Sequence, residues 1–416
     1  MKLTGAERTT LRDLARRVAE IAADPVMETR RRLWVEHNSL RPARPMMLVF
    51  PEGSWCELIG EADLLCRDAA ARRMEFQLRS RIYTYEHFRE DTVIEAVWDV
   101  GPAVELTGWG LQEHTVPSSE ARGAHAFEPV LKGPADLAKL RHPDVVYDEA
   151  ATAERVQRAG DLLGDILKVR RRGIAHVSFH LASQYLRLRG PSAMLMDMVD
   201  EPGMVHDAMA FFAEGHRRIL AQYRQLNLLD VNNDGTYHSS GGNGYTDQLP
   251  AAGFDAGRVR PCDMWASAES QEFAGVSPAM HQEFTLRYEA PLLEPFGLTG
   301  YGCCEDLTAK LDLVCAVPNM RRISISPWAN VDACAARLKG DYIFSWKPNP
   351  AMLVGRFDED AVAAYVRHTL DAAKANGCVL EMVLKDTHTC QHHPERFDRW
   401  TEITRRQIEE VCPEPV

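Results

Sequence analysis

The sequence lacks the long apolar runs of a membrane protein. No stretch of its 416 residues approaches the roughly 20 apolar residues that a membrane-spanning helix needs. Residues 1–18 are charged and amphipathic, without the apolar core of a signal peptide. The sequence therefore predicts a cytoplasmic protein whose cysteines are reduced.

The sequence also has fewer basic residues than acidic residues. The 48 Lys and Arg residues stand against 60 Asp and Glu residues, so the formal net charge is −12. An acidic protein of this kind does not attract nucleic acid or an anionic membrane by bulk charge. A local basic pocket for an anionic substrate is compatible with this balance.

Common nucleotide and metal motifs are missing as well. The sequence has no GxGxxG after its first strand, no CxxC pair, no HExxH and no internal repeat. The glycine cluster at 241–244 lies in a loop without the helix that a phosphate cradle needs. The sequence thus offers no standard motif for a nucleotide or for zinc.

What is present is an ordinary globular composition, with 45% hydrophobic and 26% charged residues, which suffices for a large core. Most of the 10 cysteines are scattered among apolar residues and are interpreted as small core side chains. Cys303, Cys304 and Cys390 differ, because they lie in turn-like segments rich in Gly or His.

The first 90 residues have mostly helical periodicity. Leu11, Leu14 and Val18 recur at helical spacing, and an Arg-rich helical segment covers about 62–88. We interpret residues 1–90 as a helical N-terminal extension, either a cap or an arm of a homodimer.

Residues 91–416 are predicted as one α/β domain. An irregular stretch, 103–132, is typical of a lid or binding loop. Apolar strand-like runs then alternate with helical patterns, which predicts a parallel sheet. A short predicted strand, 46–50, lies within the N-terminal extension. In the α/β domain the predicted strands are 92–100, 175–180, 226–231, 299–302, 320–326, 341–345 and 378–384; the main predicted helices are 147–169, 191–225 with a break at Pro202, 277–296, 306–315, 331–339, 359–376 and 394–411. Their number favours a (β/α)8 TIM-type barrel over an open sheet.

In such a barrel, chemistry lies where the strands end. The predicted strand ends carry far more polar residues than packing requires. Those expected to bind substrate are His180, Asn232, Tyr237, His238, Tyr301, Trp328 and Asn349. Those expected to be catalytic are Asp234, Lys347, Lys385 and Asp386.

Each group also has a simpler interpretation. Cys303 and Cys304 can be small residues that fill a turn, since a disulfide between adjacent cysteines is strained. Asp234 can cap a turn or act as a general acid. Lys347, which is followed by Pro348 and Pro350, can contact an anion or lie in a solvated turn. Lys385 can form an ion pair with Asp386 at the mouth of the barrel.

A metal site is the other interpretation of the thiols. Zinc needs three or four sulfur or nitrogen donors. Besides Cys303 and Cys304, Cys390 and His388 near the C-terminus are candidate ligands. Bound zinc would lower the pKa of an incoming thiol or water.

Several stretches between residues 176 and 408 follow the order of motifs in a known family. They are Arg189-Gly190-Pro191, the acidic strand end 229–234, Val276-Ser277-Pro278, Tyr301-Gly302-Cys303-Cys304, 345–350 and 387–394 followed by Trp400. In this order they resemble the uroporphyrinogen decarboxylase superfamily. That superfamily includes the decarboxylase of haem synthesis and zinc-dependent methyltransferases that work with corrinoid proteins or coenzyme M.

The resemblance implies a (β/α)8 barrel and, in its methyltransferase branch, a zinc site. Tyr301-Gly302-Cys303-Cys304 stands where these methyltransferases have His-x-Cys-Gly, so Cys303 matches one cysteine ligand. Their second cysteine ligand lies in the loop after the last strand, where Cys390 stands here. Tyr301 replaces the histidine, and Cys304, His388 or His238 would have to supply the third donor. The arginine-rich N-terminal motif of the haem enzyme is not visible.

The resemblance implies a zinc-dependent methyltransferase that acts with a corrinoid protein or a thiol acceptor. A metal-free decarboxylase or lyase is the alternative, with Asp234 organising a small carboxylated substrate and Lys347 and Lys385 binding its carboxylate. A barrel that only binds a corrinoid or tetrapyrrole would need fewer titratable groups at its strand ends.

Overall fold

The computed structural model describes residues 3–41, 43–118, 123, 126–238 and 241–413. Helices alternate with short strands along most of these ranges, as in α/β proteins. Within them, no helix combines the length and apolarity needed to cross a bilayer.

The helices and strands have the following bounds. The α-helices are α1 Gly5–Ala22, α2 Val26–Asn38, α3 Trp55–Leu58, α4 Ala69–Tyr83, α5 Glu149–Leu163, α6 Leu181–Arg189, α7 Pro191–Asp200, α8 Pro202–Gln225, α9 Pro278–His281, α10 Arg287–Leu293, α11 Leu311–Cys315, α12 Val331–Leu338, α13 Glu359–Ala375 and α14 Glu395–Val411. The strands are β1 Met46–Val49, β2 Val97–Val100, β3 Ala103–Leu106, β4 His114–Val116, β5 Ala126–Glu128, β6 Val145–Asp148, β7 Lys168–Arg171, β8 Ser178–Phe179, β9 Tyr237–His238, β10 Gly241–Asn243, β11 Trp265–Ala268, β12 Leu298–Tyr301, β13 Met320–Ile325, β14 Ile343–Trp346 and β15 Val379–Leu384.

Seven of the described strands form one parallel sheet in the order β1-β15-β14-β13-β12-β11-β8. The register places Ser345 of β14 beside Ser324 of β13 and Glu381 of β15. Neighbouring residues in register point to the same face of a sheet. The sheet therefore carries a row of polar side chains on one face, although its strands are buried.

The other strands pair in twos. β2 pairs with β7 in parallel, whereas the pairs β3–β6, β4–β5 and β9–β10 are antiparallel. A single parallel bridge joins Ile174 to Leu229. Ile174 lies shortly before β8 in the chain, and Leu229 lies between α8 and β9.

Local sequence signals explain how helices begin. The Thr4 side chain accepts the Glu7 N–H, and the Glu7 carboxylate accepts the Thr4 N–H, which together cap α1. Pro202 is the first residue of α8, where its missing N–H leaves no hydrogen bond unmade. The predicted break at Pro202 is therefore confirmed.

The mixed α/β class and most strands from residue 298 onward are confirmed. Strand β11 was not predicted, because Trp265–Ala268 is short and lacks the β-branched residues typical of strands. Helix α6 was not predicted either. The predicted helix 147–169 is wrong beyond Leu163, since Lys168–Arg171 forms β7. Of the predicted strand 226–231, Leu229 makes the bridge to Ile174.

Strand β1 lies inside the region 1–90 that the sequence predicts as a helical extension. It pairs with β15, with Met46 opposite Glu381. This region therefore supplies a strand to the main sheet as well as helices, and the boundary at residue 90 stays a prediction. The predicted lid, 103–132, contains β3, β4 and β5, and its residues 119–122 and 124–125 lie outside the described part of the chain.

Candidate functional site

The turn after β12 presents two thiols at the carboxyl end of the sheet. Gly302 has a φ of +93°, and a Cβ there would lie 2.7 Å from the side chain of Leu307. Only glycine fits this conformation without strain. The Cys303 N–H donates to the Glu305 carboxylate at 2.7 Å, and the Ser324 hydroxyl donates to the Cys303 carbonyl at 2.9 Å. The turn that positions the thiols is thus fixed from both sides.

The two thiols contact each other. The Sγ atoms of Cys303 and Cys304 lie 3.4 Å apart, and the Cys304 thiol donates to Asp386 at 3.4 Å. The contact with Cys304 and burial raise the pKa of the Cys303 thiol, against the opposing effect of Lys385. Cys303 is therefore a protonated thiol at neutral pH in this arrangement.

Lys385 follows β15 and lies next to the thiols. Its Nζ is 3.9 Å from the Cys303 Sγ, 3.4 Å from an Asp386 oxygen and 4.0 Å from a Glu52 oxygen. Burial lowers the pKa of Lys385, but the surrounding acidic groups outweigh it and raise the pKa above its ordinary value. Lys385 is thus a fixed positive charge at the site.

Lys347 follows β14 and is fully buried. Its Nζ donates to the Ser345 carbonyl at 2.8 Å and to the Ser345 hydroxyl at 2.6 Å. Burial, together with the positive charge of Lys385, lowers the pKa of Lys347 to about 7, although Glu381 acts in the opposite direction. Lys347 can therefore hold or release a proton near neutral pH. We call Lys347, Lys385, Cys303, Cys304 and Asp386 the lysine–thiol cluster.

A buried ion pair lies beneath this cluster on the same face of the sheet. The Arg322 Nε is 3.0 Å from a Glu381 oxygen, and Glu381 also accepts hydrogen bonds from the Ser345 hydroxyl and the Gly242 N–H. Burial raises the pKa of Glu381, but Arg322 and its other partners lower it to about 2. Ser345 thus connects a permanently charged carboxylate to Lys347.

Two glycines allow the β9–β10 hairpin to pack on this ion pair. A Cβ at Gly241 would lie 2.5 Å from Arg322, and one at Gly242 would lie 2.4 Å from Glu381. The glycine cluster that the sequence places in a loop therefore has a packing role here.

Three further residues belong to the surroundings of the cluster. His180 Nδ1 lies 2.7 Å from a Glu269 oxygen. Burial raises the pKa of Glu269, but His180 and the Cys303 thiol outweigh it and keep the carboxylate charged. Burial raises the pKa of Tyr237, whose ring packs edge-on against Phe50 at 5.0 Å, while Lys385 opposes that shift.

Several predicted site residues have other partners. The Asn232 side chain donates to the carbonyls of Ala175 and Trp265 and accepts the Trp265 N–H, so it joins neighbouring backbone segments. His238 is buried against the Trp265 ring, and burial lowers its pKa well below the ordinary value. Asp234 pairs with Arg172 at 3.0 Å and with Arg170 at 3.5 Å.

Tyr301 is buried behind the thiol turn. Its hydroxyl donates to Glu289 at 2.8 Å and contacts His281 at 2.9 Å, while the Ser270 hydroxyl also donates to Glu289. Burial raises the pKa of Glu289 to about 8. Tyr301 therefore belongs to a buried polar network whose carboxyl group is protonated at neutral pH.

Two remaining predicted substrate contacts lie at loop starts. The Asn349 side chain caps the short helix Pro350–Leu353 by accepting the Ala351 N–H at 3.0 Å. Trp328 is 69% exposed, which is unusual for so large an apolar side chain. Asn349 therefore has a structural role, while Trp328 is available for contacts.

The predicted zinc ligands are not assembled into one set. Cys390 donates its thiol proton to Glu57 at 3.1 Å, and its N–H donates to the same carboxylate at 3.0 Å. His388 is exposed and lies against Gly53. Throughout the described ranges, no group of three or more His, Cys, Asp or Glu side chains has the arrangement of a metal site. The residues therefore fit a pair of neighbouring thiols better than a zinc site.

Some residues of the site were missed in the sequence. Arg322 and Glu381 are charged residues inside otherwise apolar strands, which is a usable signal for a buried polar cluster. Glu52, Glu57 and Glu269 carry no such signal, because their partners are distant in the chain.

Comparisons with known proteins find similar solved structures but no matching family. No protein-family profile matches the sequence, and no curated protein matches it. Among solved structures, a methyltransferase from Methanosarcina mazei is similar, with a TM-score of 0.46 and 8% sequence identity. The alignment covers 91% of this chain and 98% of that protein. We draw no conclusion about activity from a likeness at this level.

Proposed function

We propose that this protein is an enzyme that removes the carboxylate group of a small carboxylated substrate as CO₂. The observation that carries the proposal is the buried Lys347, with a pKa of about 7, next to the charged Lys385. A lysine whose pKa is lowered by burial and by a second cation is a common device for proton transfer or nucleophilic attack.

In the proposed reaction, the ammonium group of Lys385 binds the substrate carboxylate. Cleavage of the C–C bond releases CO₂ and leaves the bonding electron pair on the substrate carbon. The substrate must accept this pair, as a β-keto acid does. Lys347 then donates a proton to that carbon and is protonated again from solvent, so atoms and charges balance. Asp234, which the sequence placed in this role, is held by arginines instead.

We also propose that the parallel sheet closes into a (β/α)8 barrel of the uroporphyrinogen decarboxylase superfamily. One observation supports closure: polar residues lie at the carboxyl ends of several neighbouring strands of the parallel sheet. The homodimer, with residues 1–90 as its arm, is part of the same proposal.

Methyl transfer to a thiol is the second candidate, and the pair Cys303–Cys304 beside Lys385 favours it. A corrinoid protein would be the methyl donor in this proposal. Zinc would supply Lewis-acid activation of a thiol, but the described residues group only two of its expected ligands. We therefore derive no step through zinc.

A direct test uses chelator-treated protein with oxaloacetate and acetoacetate as β-keto acid probes, and measures CO₂ release. Malonate binding by calorimetry serves as a second measurement. We expect Lys347→Met to lower CO₂ release about 100-fold with malonate still bound. We expect Lys385→Met to weaken malonate binding about tenfold or more. Lys132→Met, at an exposed lysine, is the matched control.

The two candidates give different results. Demethylation of methylcobalamin in the presence of 2-mercaptoethanol and added zinc, lost in Cys303→Ala, would establish the second candidate. If neither β-keto acid releases CO₂ and Lys385→Met binds malonate as the unaltered protein does, the decarboxylase proposal is wrong.

A further inference from the structure

We propose that a second site, a cleft between α4, α5 and the end of β2, binds a small anion with an apolar body. The cleft has a volume of about 580 Å³, within the usual range for small-molecule sites. It shares no lining residue with the lysine–thiol cluster. The inference does not depend on the proposed reaction.

Three guanidinium groups from two helices line the cleft. Arg73 comes from α4, and Arg155 and Arg158 come from α5. Over the described residues, the guanidinium groups of Arg73 and Arg155 have no hydrogen-bond or ion-pair partner. Arg158 pairs with Glu154 at 2.7 Å, but both side chains are largely exposed, so an incoming anion can compete for Arg158.

The cleft contains little negative charge to neutralise these arginines. Asp99 is the one carboxylate among its described lining residues, and Arg170 holds it with contacts of 2.6 and 2.8 Å. Asp99 is thus already neutralised from outside the cleft. A cleft with excess positive charge is notable here, because the protein as a whole has a net charge of −12.

The rest of the lining is mostly apolar. Met74, Trp98 and Val100 line the cleft, and the last two are buried beneath its surface. At Gly101, a Cβ would meet nothing within 4 Å, so there is open space at the end of β2. Guanidinium groups bind carboxylates and phosphates through paired hydrogen bonds. Arginines beside an apolar surface therefore favour a ligand that has a carboxylate or phosphate group attached to an apolar body.

The test uses 8-anilinonaphthalene-1-sulfonate, an aromatic anion, as a fluorescent probe of the full-length protein. We expect the double variant Arg73→Gln/Arg155→Gln to bind the probe about tenfold more weakly than the unaltered protein. Affinity should also fall as NaCl is raised, because the attraction is partly electrostatic. The double variant Arg217→Gln/Arg224→Gln, on α8, makes the same change in net charge and should bind normally.

Circular dichroism and thermal unfolding show whether the double variant folds, and Arg155→Gln alone replaces it if it does not. Displacement of the probe by octyl phosphate or by octanoate supports the site and separates phosphate from carboxylate ligands. Equal probe affinity in the Arg73/Arg155 variant and the control, or no displacement by either competitor, would overturn the proposal.

Discussion

The Nζ atom of Lys385 lies 3.9 Å from the Sγ atom of Cys303, although the two residues follow different strands, β15 and β12. A cation at this distance favours a thiolate, whereas burial and the Cys304 contact favour the thiol. The second effect is larger here. The contact therefore places the charged Lys385 beside a protonated thiol pair at the carboxyl ends of β15 and β12.

The first prediction concerns the reactivity of the thiols. Iodoacetamide reacts with thiolates, so at neutral pH it should alkylate Cys303 at least about tenfold more slowly than the exposed Cys56. Peptide mass spectrometry over time measures both rates in one sample. The Cys303 rate should fall further in Lys385→Met. Equal rates at Cys303 and Cys56 would show that the thiol is activated.

The second prediction concerns the buried Lys347 and pH. Its pKa is about 7 in the folded protein and 10.5 as a free side chain, so the unfolded chain binds more protons between these values. Lys347 therefore makes the free energy of unfolding rise as pH increases from 7 towards 10.5. Urea unfolding should show this rise, and Lys347→Met should flatten it. An identical pH dependence in the variant would mean that folding does not lower the pKa of Lys347.

The third prediction concerns the buried Arg322–Glu381 pair. Glu381→Gln leaves Arg322 without its counter-ion and should lower the free energy of unfolding by about 3–5 kcal/mol. Glu359→Gln is the matched control, because Glu359 pairs with Arg399 at the surface, and it should change stability little. Denaturant unfolding of both variants measures the difference. Similar losses in the two variants would contradict the burial of the pair.

The fourth prediction concerns Glu289. Its pKa rises from 4.5 to about 8 on folding, so the folded state binds more protons between these values. The stability contributed by this protonated carboxyl is full below pH 4.5 and is lost as pH rises through 8. Glu289→Gln keeps the shape without the titration, so it should be the more stable protein above pH 8. Thermal unfolding across this range checks the crossover.

Much of the fold was predictable because the second half of the chain has short apolar strands between clear helices. The strands that carry Cys303, Lys347 and Lys385 lie where the pattern predicts. β11 was missed because a four-residue strand with one Trp, two Ala and one Ser gives no periodic signal. Its position in the sheet is decided by pairing with β12, which is a tertiary contact.

The candidate site was only partly predictable. Residues at strand ends, such as Lys347 and Lys385, follow from the strand pattern and the rule that barrel chemistry lies there. The partner of Cys390 does not, because Glu57 is 333 residues away in the chain. The predicted metal set joined Cys303 and Cys304 to His388 and Cys390, and the fold gives Cys390 a different partner.

The pairing of β1 with β15 also bears on how the protein is made. Met46 leaves the ribosome early, but its partner Glu381 is synthesised near the end of the chain. At about 5–20 residues per second, the exposed edge of β1 waits on the order of tens of seconds for its neighbour. Until then the apolar segment Met46–Val49 can form non-native strand pairs. The nascent chain therefore depends most on chaperones before its last strand has been synthesised.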